Sequence, residues 1–453
     1  MIPSIALFAL LAAAATAASA GTLTLDECIR QALEQNNQMR LAAQAVRRSE
    51  MDVKSAMAGR LPSVNLSVLN FSRSRTGPSV RIQENPTDRF DPETGQRIFR
   101  EETTQIPAID RNSFSLNASV SQTLYDGGSR RHAHNAARQG FHAAETALES
   151  QRAETIFGVR QRYFALLKAQ DLLEVQREAL KLSEKQLEGA AMRLEVGAGV
   201  RADVLRLKVA VGNAEADLIN AEQGVVLARA GLNHFMGRGI SEPLTAAPVE
   251  NAAFPLAGLS LEDLLRAAES SNHAIRQLEY AHLAAEHDLS SAKSAWHPRL
   301  STNLSYGRNN EVFDRVYQDF GQNYRINAGL SVTYNLFDGG VRSAGIQRSR
   351  IALENARLNL EQQRREVSLA VETAHLELAR LAKILEISEG TLEVAGEDLK
   401  LAKESYEVGQ GTLLELLDAQ VNFTQARSSR VRTRHDLAVA RANIERLLGG
   451  PSD

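Results

Sequence analysis

A mainly helical protein with a small β-barrel part is the fold class this 453-residue chain predicts, and three observations predict it. The chain says one thing twice: Leu124-Tyr125-Asp126-Gly127-Gly128 returns as Leu336-Phe337-Asp338-Gly339-Gly340, at an offset of 212 (124 to 336). Long proline-free stretches carry apolar residues every seventh position, the mark of helices packed along a left-handed seam. Four short segments alternate apolar and small polar residues, the mark of half-buried strands. A repeat this long points to duplication of a half-protein, with residues 21–258 as the first structural repeat and 259–453 as the second.

Positions 1–20 read as a signal peptide. Ile5 to Ala18 is almost wholly apolar and Ala18-Ser19-Ala20 is a small-residue cleavage pattern, leaving Gly21 as the mature start. The segment has no Lys or Arg before its apolar run, which leaves a mis-assigned start codon or an apolar N-terminal anchor as alternatives. After Gly21 no stretch approaches the roughly 18 apolar residues of a membrane-spanning helix, so any insertion must use strands.

Helices are expected over Leu25–Arg60, from Asp126 to about Leu194, and over Val200–Met236, then again over Leu261–Ala295 and Thr412–Leu448 around a second long helix. The heptad series Val159, Leu166, Leu173, Leu180, Leu187, Leu194 maps onto Val371, Leu378, Leu385, Leu392, Leu399, Tyr406 at the same offset of 212. Many partner positions are small (Ala169, Ser183, Ala190), a seam suited to helices packed side by side in a wall. The 71 steps from Asp126 to Gly197 correspond to about 107 Å of helix, and the two shorter helices of a repeat reach a similar length end to end.

Strands are expected at about 62–72, 112–125, 298–308 and 323–337. Phe114, Leu116, Ala118 and Val120 alternate with Ser115, Asn117, Ser119 and Ser121, and Ile326 to Tyr334 alternates in the same way. A polar face that is small and uncharged fits a wet lumen, and the aromatics Tyr125, Tyr306, Tyr324 and Phe337 near strand ends fit an interface girdle. Four strands cannot close a barrel, since the smallest membrane barrels use about eight and lipid does not tolerate open edges. Several chains must share one. The polar, charged segments Asn70–Arg111, which is also Pro-rich, and Gly307–Asn323 read as outward loops.

Composition excludes several function classes. A net charge of −3 with interspersed signs is unlike a nucleic-acid binder, and no paired Cys-x-x-Cys, phosphate loop or catalytic serine or zinc motif occurs. The sequence therefore implies no enzyme, cofactor or metal. His132-Ala133-His134 lacks a third ligand nearby, and His282 and His287 read as surface residues. The single cysteine, Cys28, reads as a small buried residue of the first helix. A periplasmic adaptor, with one hairpin per chain and more strands, and a trimeric surface adhesin or rod with one C-terminal barrel segment are rival non-enzymatic classes. Strands recurring in both halves count against each.

The duplicated half, the strand-ending Leu-Tyr/Phe-Asp-Gly-Gly and the helix-turn Val196-Gly197 and Val408-Gly409 signatures together resemble the TolC family of outer-membrane efflux channels, from Leu23 to Gly450. The resemblance implies a homotrimer with a twelve-stranded barrel in outer-membrane lipid and a long helical tunnel crossing the periplasm of a Gram-negative cell. It implies export of small molecules or proteins, and docking at the tunnel tips to a periplasmic adaptor and an inner-membrane pump of the RND, ABC or MFS type. Tip turns at about 195–203 and 407–415 would carry the gate and adaptor contacts, with Gly197, Gly199, Asp203, Tyr406, Gly409 and Gly411 at the family's positions. Glu415 and Asp418 match the family's acidic constriction ring. Asp126, Gly127 and Gly128, with Asp338, Gly339 and Gly340, match its strand-to-helix turns. Where the family has a bridging arginine two residues past the second-tip glycine, this chain has Gly411.

Overall fold

The computed structural model describes residues 22–249 and 260–450. The expected signal segment and the expected boundary between the repeats at 258 lie outside the described residues. Two compact units form: a helical unit from residues up to Glu50 with Gln139–Leu283 and from Glu354 onward, and a sheet unit from Met51–Arg138 with Ala284–Leu353.

In chain order the elements are β1 (Thr22–Leu23), α1 (Leu25–Gln35), α2 (Asn37–Ala58), β2 (Ser63–Thr76), β3 (Ser79–Phe90), β4 (Arg97–Ile106), β5 (Ile109–Tyr125), α3 (Ser129–Glu195) and α4 (Arg201–Met236). There follow β6 (Thr245–Ala246), α5 (Leu261–Ser271), α6 (His273–Lys293), β7 (Arg299–Asn310), α7 (Phe313–Tyr317), β8 (Tyr324–Thr333), α8 (Val341–Glu407) and α9 (Leu413–Leu447). The two long helices, α3 and α8, are each 67 residues and begin and end at the same offset of 212 (129 to 341, 195 to 407).

The helical unit has two cores built from matching positions. Cys28, Ala32, Val159 and Leu232 anchor one, with α1, α3 and α4 around them and the β1–β6 pair alongside. Leu264, Ala268, Val371 and Ile444, from α5, α8 and α9, anchor the other. The Tyr163 hydroxyl sits 2.9 Å from the Leu23 carbonyl and 2.8 Å from that of Ala247, tying α3 to both strands of the small parallel pair at its C-terminal end. Cys28 is fully buried, and burial pushes its thiol up to about 11.

The continuous helices expected over Leu25–Arg60 and Leu261–Ala295 are each broken in two, at Asn36 and Asn272. Each asparagine holds extended backbone and its side-chain oxygen accepts from the first turn of the next helix, Gln38 N–H at 2.7 Å and Ala274 N–H at 3.0 Å. An asparagine offers its own backbone a partner outside the helix, and here it caps the segment that follows.

In the sheet unit four antiparallel strands run in the order β2-β5-β7-β8. The register aligns Val64, Val120, Leu304 and Ala328 in one row and Leu66, Ala118, Tyr306 and Ile326 in the next. Between them lie the rows Ser63, Ser121, Asn303, Gly329 and Asn65, Ser119, Ser305, Asn327. One face is therefore apolar and the other small, polar and uncharged. The apolar face is bare: Val64 is 72% and Val332 69% exposed. β2 and β8 are outer strands with one unpaired edge each.

Strand bounds differ from expectation. β2 and β5 run further than about 72 and 112, to Thr76 and back to Ile109, while β8 stops at Thr333 rather than near 337. The segment expected to be an outward loop instead holds an antiparallel hairpin, β3–β4. Its Pro86 stands next to the register shift between Pro86 and Phe90, where a missing N–H does least harm. The irregular alternation of the first strand has its cause in another register shift, between Ser67 and Asn70.

Candidate functional site: helix tips and strand-to-helix turns

Both tips lie in the helical unit and reverse the chain within 196–200 and 408–412. The reversal is a Schellman closure in each. Gly197 (φ +77°) and Gly409 (φ +76°) take the left-handed conformation that side chains disfavour. Ala198 N–H donates to the Arg193 carbonyl at 2.8 Å and Gly197 N–H to that of Leu194 at 3.1 Å. Gln410 N–H donates to the Ser405 carbonyl at 2.9 Å and Gly409 N–H to that of Tyr406 at 3.2 Å.

Gly199 and Gly411, repeat counterparts, have a different reason to lack a side chain. A Cβ at Gly199 would lie 2.7 Å from the Leu194 nitrogen, and one at Gly411 would lie 3.0 Å from Ser405 Cβ and 3.1 Å from the Tyr406 nitrogen. The chain folds back onto the end of its own helix at both positions. Gly411, which stands where the resemblance places an arginine, thus also sits where a side chain would crowd the local turn.

Beyond the turns the repeats diverge. Thr412 caps α9 in a reciprocal box, with Glu415 N–H donating to Thr412 Oγ1 at 3.3 Å and Thr412 N–H to Glu415 Oε2 at 2.9 Å. The T-x-x-E spacing carried that signal in the sequence. At the equivalent place Val200 provides no side-chain cap. Asp203 is the counterpart of Glu415 and Arg206 the counterpart of Asp418 (offset 212), so a pair of opposite sign in one tip corresponds to a pair of like sign in the other. Asp203 turns to Arg206 at 3.9 Å, while Glu415 and Asp418 stand one turn apart on α9 with no basic side chain among the described residues bridging them.

Tyr406 packs against a small tip core of Ala190, Leu207 and Leu413. Its ring also lies 4.9 Å from the guanidinium carbon of Arg193 on α3. That contact joins the ends of the two long helices. The spacing of charges did not single it out, because Arg193 and Tyr406 belong to different repeats.

The strand-to-helix turns are in the sheet unit. Gly127 and Gly128 have φ of +68° and +89°, Gly339 and Gly340 +66° and +90°. Asp126 caps α3: its carboxylate accepts from Gly128 N–H at 3.2 Å, Arg130 N–H at 3.3 Å and Arg130 Nε at 2.8 Å. Asp338 does the same with Gly340 at 3.1 Å and with Arg342 N–H and Nε at 3.1 and 2.8 Å. Arg130 continues to the carbonyls of Gly59 (2.7 Å) and Thr123, fastening the turn to two neighbouring segments. Burial works to raise the Asp126 carboxyl, but the Arg130 and Gly128 hydrogen bonds outweigh it and hold the group below the usual carboxylate range. The arginines share an Asp-Gly-Gly-x-Arg pattern that is visible in the sequence.

Among the described residues no group of three His, Cys, Asp or Glu side chains is arranged to hold a metal, and no helix is long and apolar enough to cross a membrane.

Known proteins resemble this chain in sequence and fold. It is 26% identical over 383 residues to the outer membrane efflux protein BepC of Brucella suis, covering 83% of this chain and 81% of that protein. It is 24% identical over 299 residues to the outer membrane protein TolC of Vibrio cholerae, covering 66% and 68%. Its fold matches CusC with a TM-score of 0.79 at 19% identity, covering 94% of this chain and 92% of that one. It matches the open state of the Neisseria gonorrhoeae MtrE outer membrane channel with a TM-score of 0.75 at 21% identity, covering 94% and 89%. The family model described as "Outer membrane efflux protein" matches residues 28–238 and 264–450, so the chain belongs to the outer membrane efflux protein family, non-enzymatic channels of the Gram-negative outer membrane.

Proposed function

We propose that three copies of this chain form one channel-tunnel through which an inner-membrane pump of the RND, ABC or MFS type exports small molecules or proteins, with a periplasmic adaptor docked at the helix tips. The observation that carries this reading is the four-stranded sheet: a bare apolar face, a small uncharged polar face, and two unpaired edges. Such a sheet is stable in lipid only when further copies complete the ring. The efflux and secretion proteins among its relatives support the pump partnership.

The tips support docking through their backbone. Gly197, Gly199, Gly409 and Gly411 leave two backbone positions of each reversal without a side chain, and Val196 and Val408 stand beside them at 78% and 70% exposure. An adaptor hairpin gains close backbone approach and apolar contact there. Glu415 and Asp418, repeated around an axis, supply an acidic ring that favours cations.

Outer-membrane fractionation with electrophoresis of unheated and heated samples tests this. A shared barrel migrates as an oligomer until heated and then as the monomer. A chain that runs as a monomer in both lanes rejects the reading, and an oligomer indifferent to heat favours a coiled-coil rod.

A further inference from the structure

The polar face of the four-stranded sheet is uncharged along its middle and basic at both ends. Beyond the row of Asn65, Ser119, Ser305 and Asn327, the next polar row is Ser67, Asn117, Gly307 and Arg325. Arg325 stands at the end of β8 away from α8, and every second residue after it, Asn327, Gly329, Ser331 and Thr333, shares its face. At the other end Arg299 opens β7 opposite Thr333, on the same face by the same alternation. Both arginines are exposed. Eight residue steps, about 27 Å of strand, separate the level of Arg299 from that of Gly307 and Arg325.

Neither charge is neutralised within the chain. Among the described residues no Asp or Glu stands on the polar face of these four strands, and Arg299 and Arg325 form no ion pair. The third arginine of this face, Arg111, is different: it pairs with Glu311 at 2.9 Å. Arg308, on the opposite face, is only 3% exposed and donates to the carbonyls of Gln318 and Asp319 at 2.6 and 3.1 Å beneath its own loop. The row also leaves Arg325 room. A Cβ at Gly307 would lie 2.7 Å from Asn117 Oδ1, so the Asn117 amide lies over the glycine. That amide, which can present oxygen or N–H, and the Arg325 guanidinium therefore flank one position that has no side chain.

We propose that Arg325 is an anion-binding station in the lumen of the barrel, recognising phosphate or carboxylate groups of an exported solute, with Arg299 as a second basic level. The inference rests on the multi-copy channel above and adds a substrate chemistry to its barrel. When copies of the sheet close around an axis with the polar face inward, each contributes one Arg325 at the same height. Strands about 4.8 Å apart and tilted by about 40° give a twelve-stranded ring a diameter of about 24 Å, so the guanidinium groups enter one shared aqueous space. Like charges with no local acid repel one another and attract a multivalent anion, and arginine rings suit anions as carboxylate rings suit cations. The planar guanidinium adds paired N–H donors matched to phosphate and carboxylate oxygens. Glu415 and Asp418 carry the opposite sign, so this station is a separate filter and is tested apart from them.

Planar-bilayer recordings of the purified oligomer in potassium chloride test it, with inorganic pyrophosphate as the probe. Pyrophosphate should block the current reversibly, and less strongly at higher salt, which screens exposed charges. Arg325→Gln should raise the half-blocking concentration about tenfold, the loss expected when a hydrogen bond to a charged group is removed. Arg325→Lys, which keeps the charge, should retain most of the block. Arg73→Gln removes the same charge from the opposite face of β2 and should leave the block unchanged. Conducting channels that pyrophosphate does not block, or blocks equally in Arg325→Gln, overturn the station while leaving the channel standing. An unmodified chain that yields neither a heat-sensitive oligomer nor a conducting channel rejects the channel and the station together.

Discussion

The side-chain amide of Asn272 donates to the backbone carbonyl of Leu447 at 2.9 Å, and that of Asn36 donates to the carbonyl of Phe235 at 2.8 Å. The donors stand at an offset of 236 (36 to 272) and the acceptors at 212 (235 to 447), so the contact is kept across both repeats despite the insertion between them. Each asparagine both starts one helix and satisfies a carbonyl in the last turn of another, where helices leave acceptors unmatched. The paired helices are fastened end to end by one residue.

Replacing that residue should remove both functions. Asn272→Ala deletes the cap of α6 and strands a carbonyl beside a side chain only 7% exposed, so a loss of about 2 kcal/mol is expected. Thermal or denaturant unfolding of the purified protein checks it. Asn272→Asp, which keeps the cap acceptor and loses the donor, should fall between the native protein and Asn272→Ala.

The Asp126 turn gives a pH dependence. Its folded-state carboxyl is held below the ordinary value of 3.8, so its stabilising contribution is present above that value and disappears as the pH falls through the lower folded value. Melting temperature should drop more steeply on acidification in the native protein than in Asp126→Asn. Equal slopes would show that the Arg130 contact does not favour the ionised form.

For the acidic residues, Glu415→Gln with Asp418→Asn should abolish cation preference and multivalent-cation block in planar bilayers. Glutamine retains the reciprocal cap to Thr412, so stability should change by less than about 1 kcal/mol. Unchanged selectivity would place these carboxylates away from the conducting path.

At the tip, Arg193→Ala should raise single-channel conductance or open probability, because the contact with the Tyr406 ring, 4.9 Å away, joins the ends of α3 and α8. An exposed cation–π pair is worth about 0.5–1 kcal/mol, a shift of roughly two- to fivefold in an opening equilibrium. Tyr406→Leu should produce a similar change, and the double variant little more. Gly411→Arg must disturb Ser405 whatever charge it restores, so Gly411→Ala is its necessary partner in the recordings.

The fold was legible wherever two independent patterns coincided. Seven-residue periodicity and the Val-Gly turns together located α3 and α8, and the alternation of Ser and Asn with apolar residues located β5, β7 and β8. The breaks at Asn36 and Asn272 were not, since a single asparagine disfavours helix only mildly and its decisive partners, Phe235 and Leu447, are far away in sequence. The β3–β4 hairpin was hidden by Pro86, which marks a loop by composition but stands at a register shift. At the tips the glycines were readable, but their two different reasons were not: a positive φ at Gly197 and Gly409, and close backbone approach at Gly199 and Gly411. The tie between Arg193 and Tyr406 arises only when the two repeats pack together, so neither repeat alone announces it.

The two unpaired sheet edges bear on how the protein reaches its membrane. A lone copy entering lipid would carry two rows of backbone N–H and C=O groups into hydrocarbon, each unmatched group costing several kcal/mol. Insertion must then wait for encounter in the aqueous compartment, and its rate should climb faster than the first power of chain concentration. Underproduced chains would linger outside the bilayer, where their bare apolar face makes them clients of chaperones and targets of proteases.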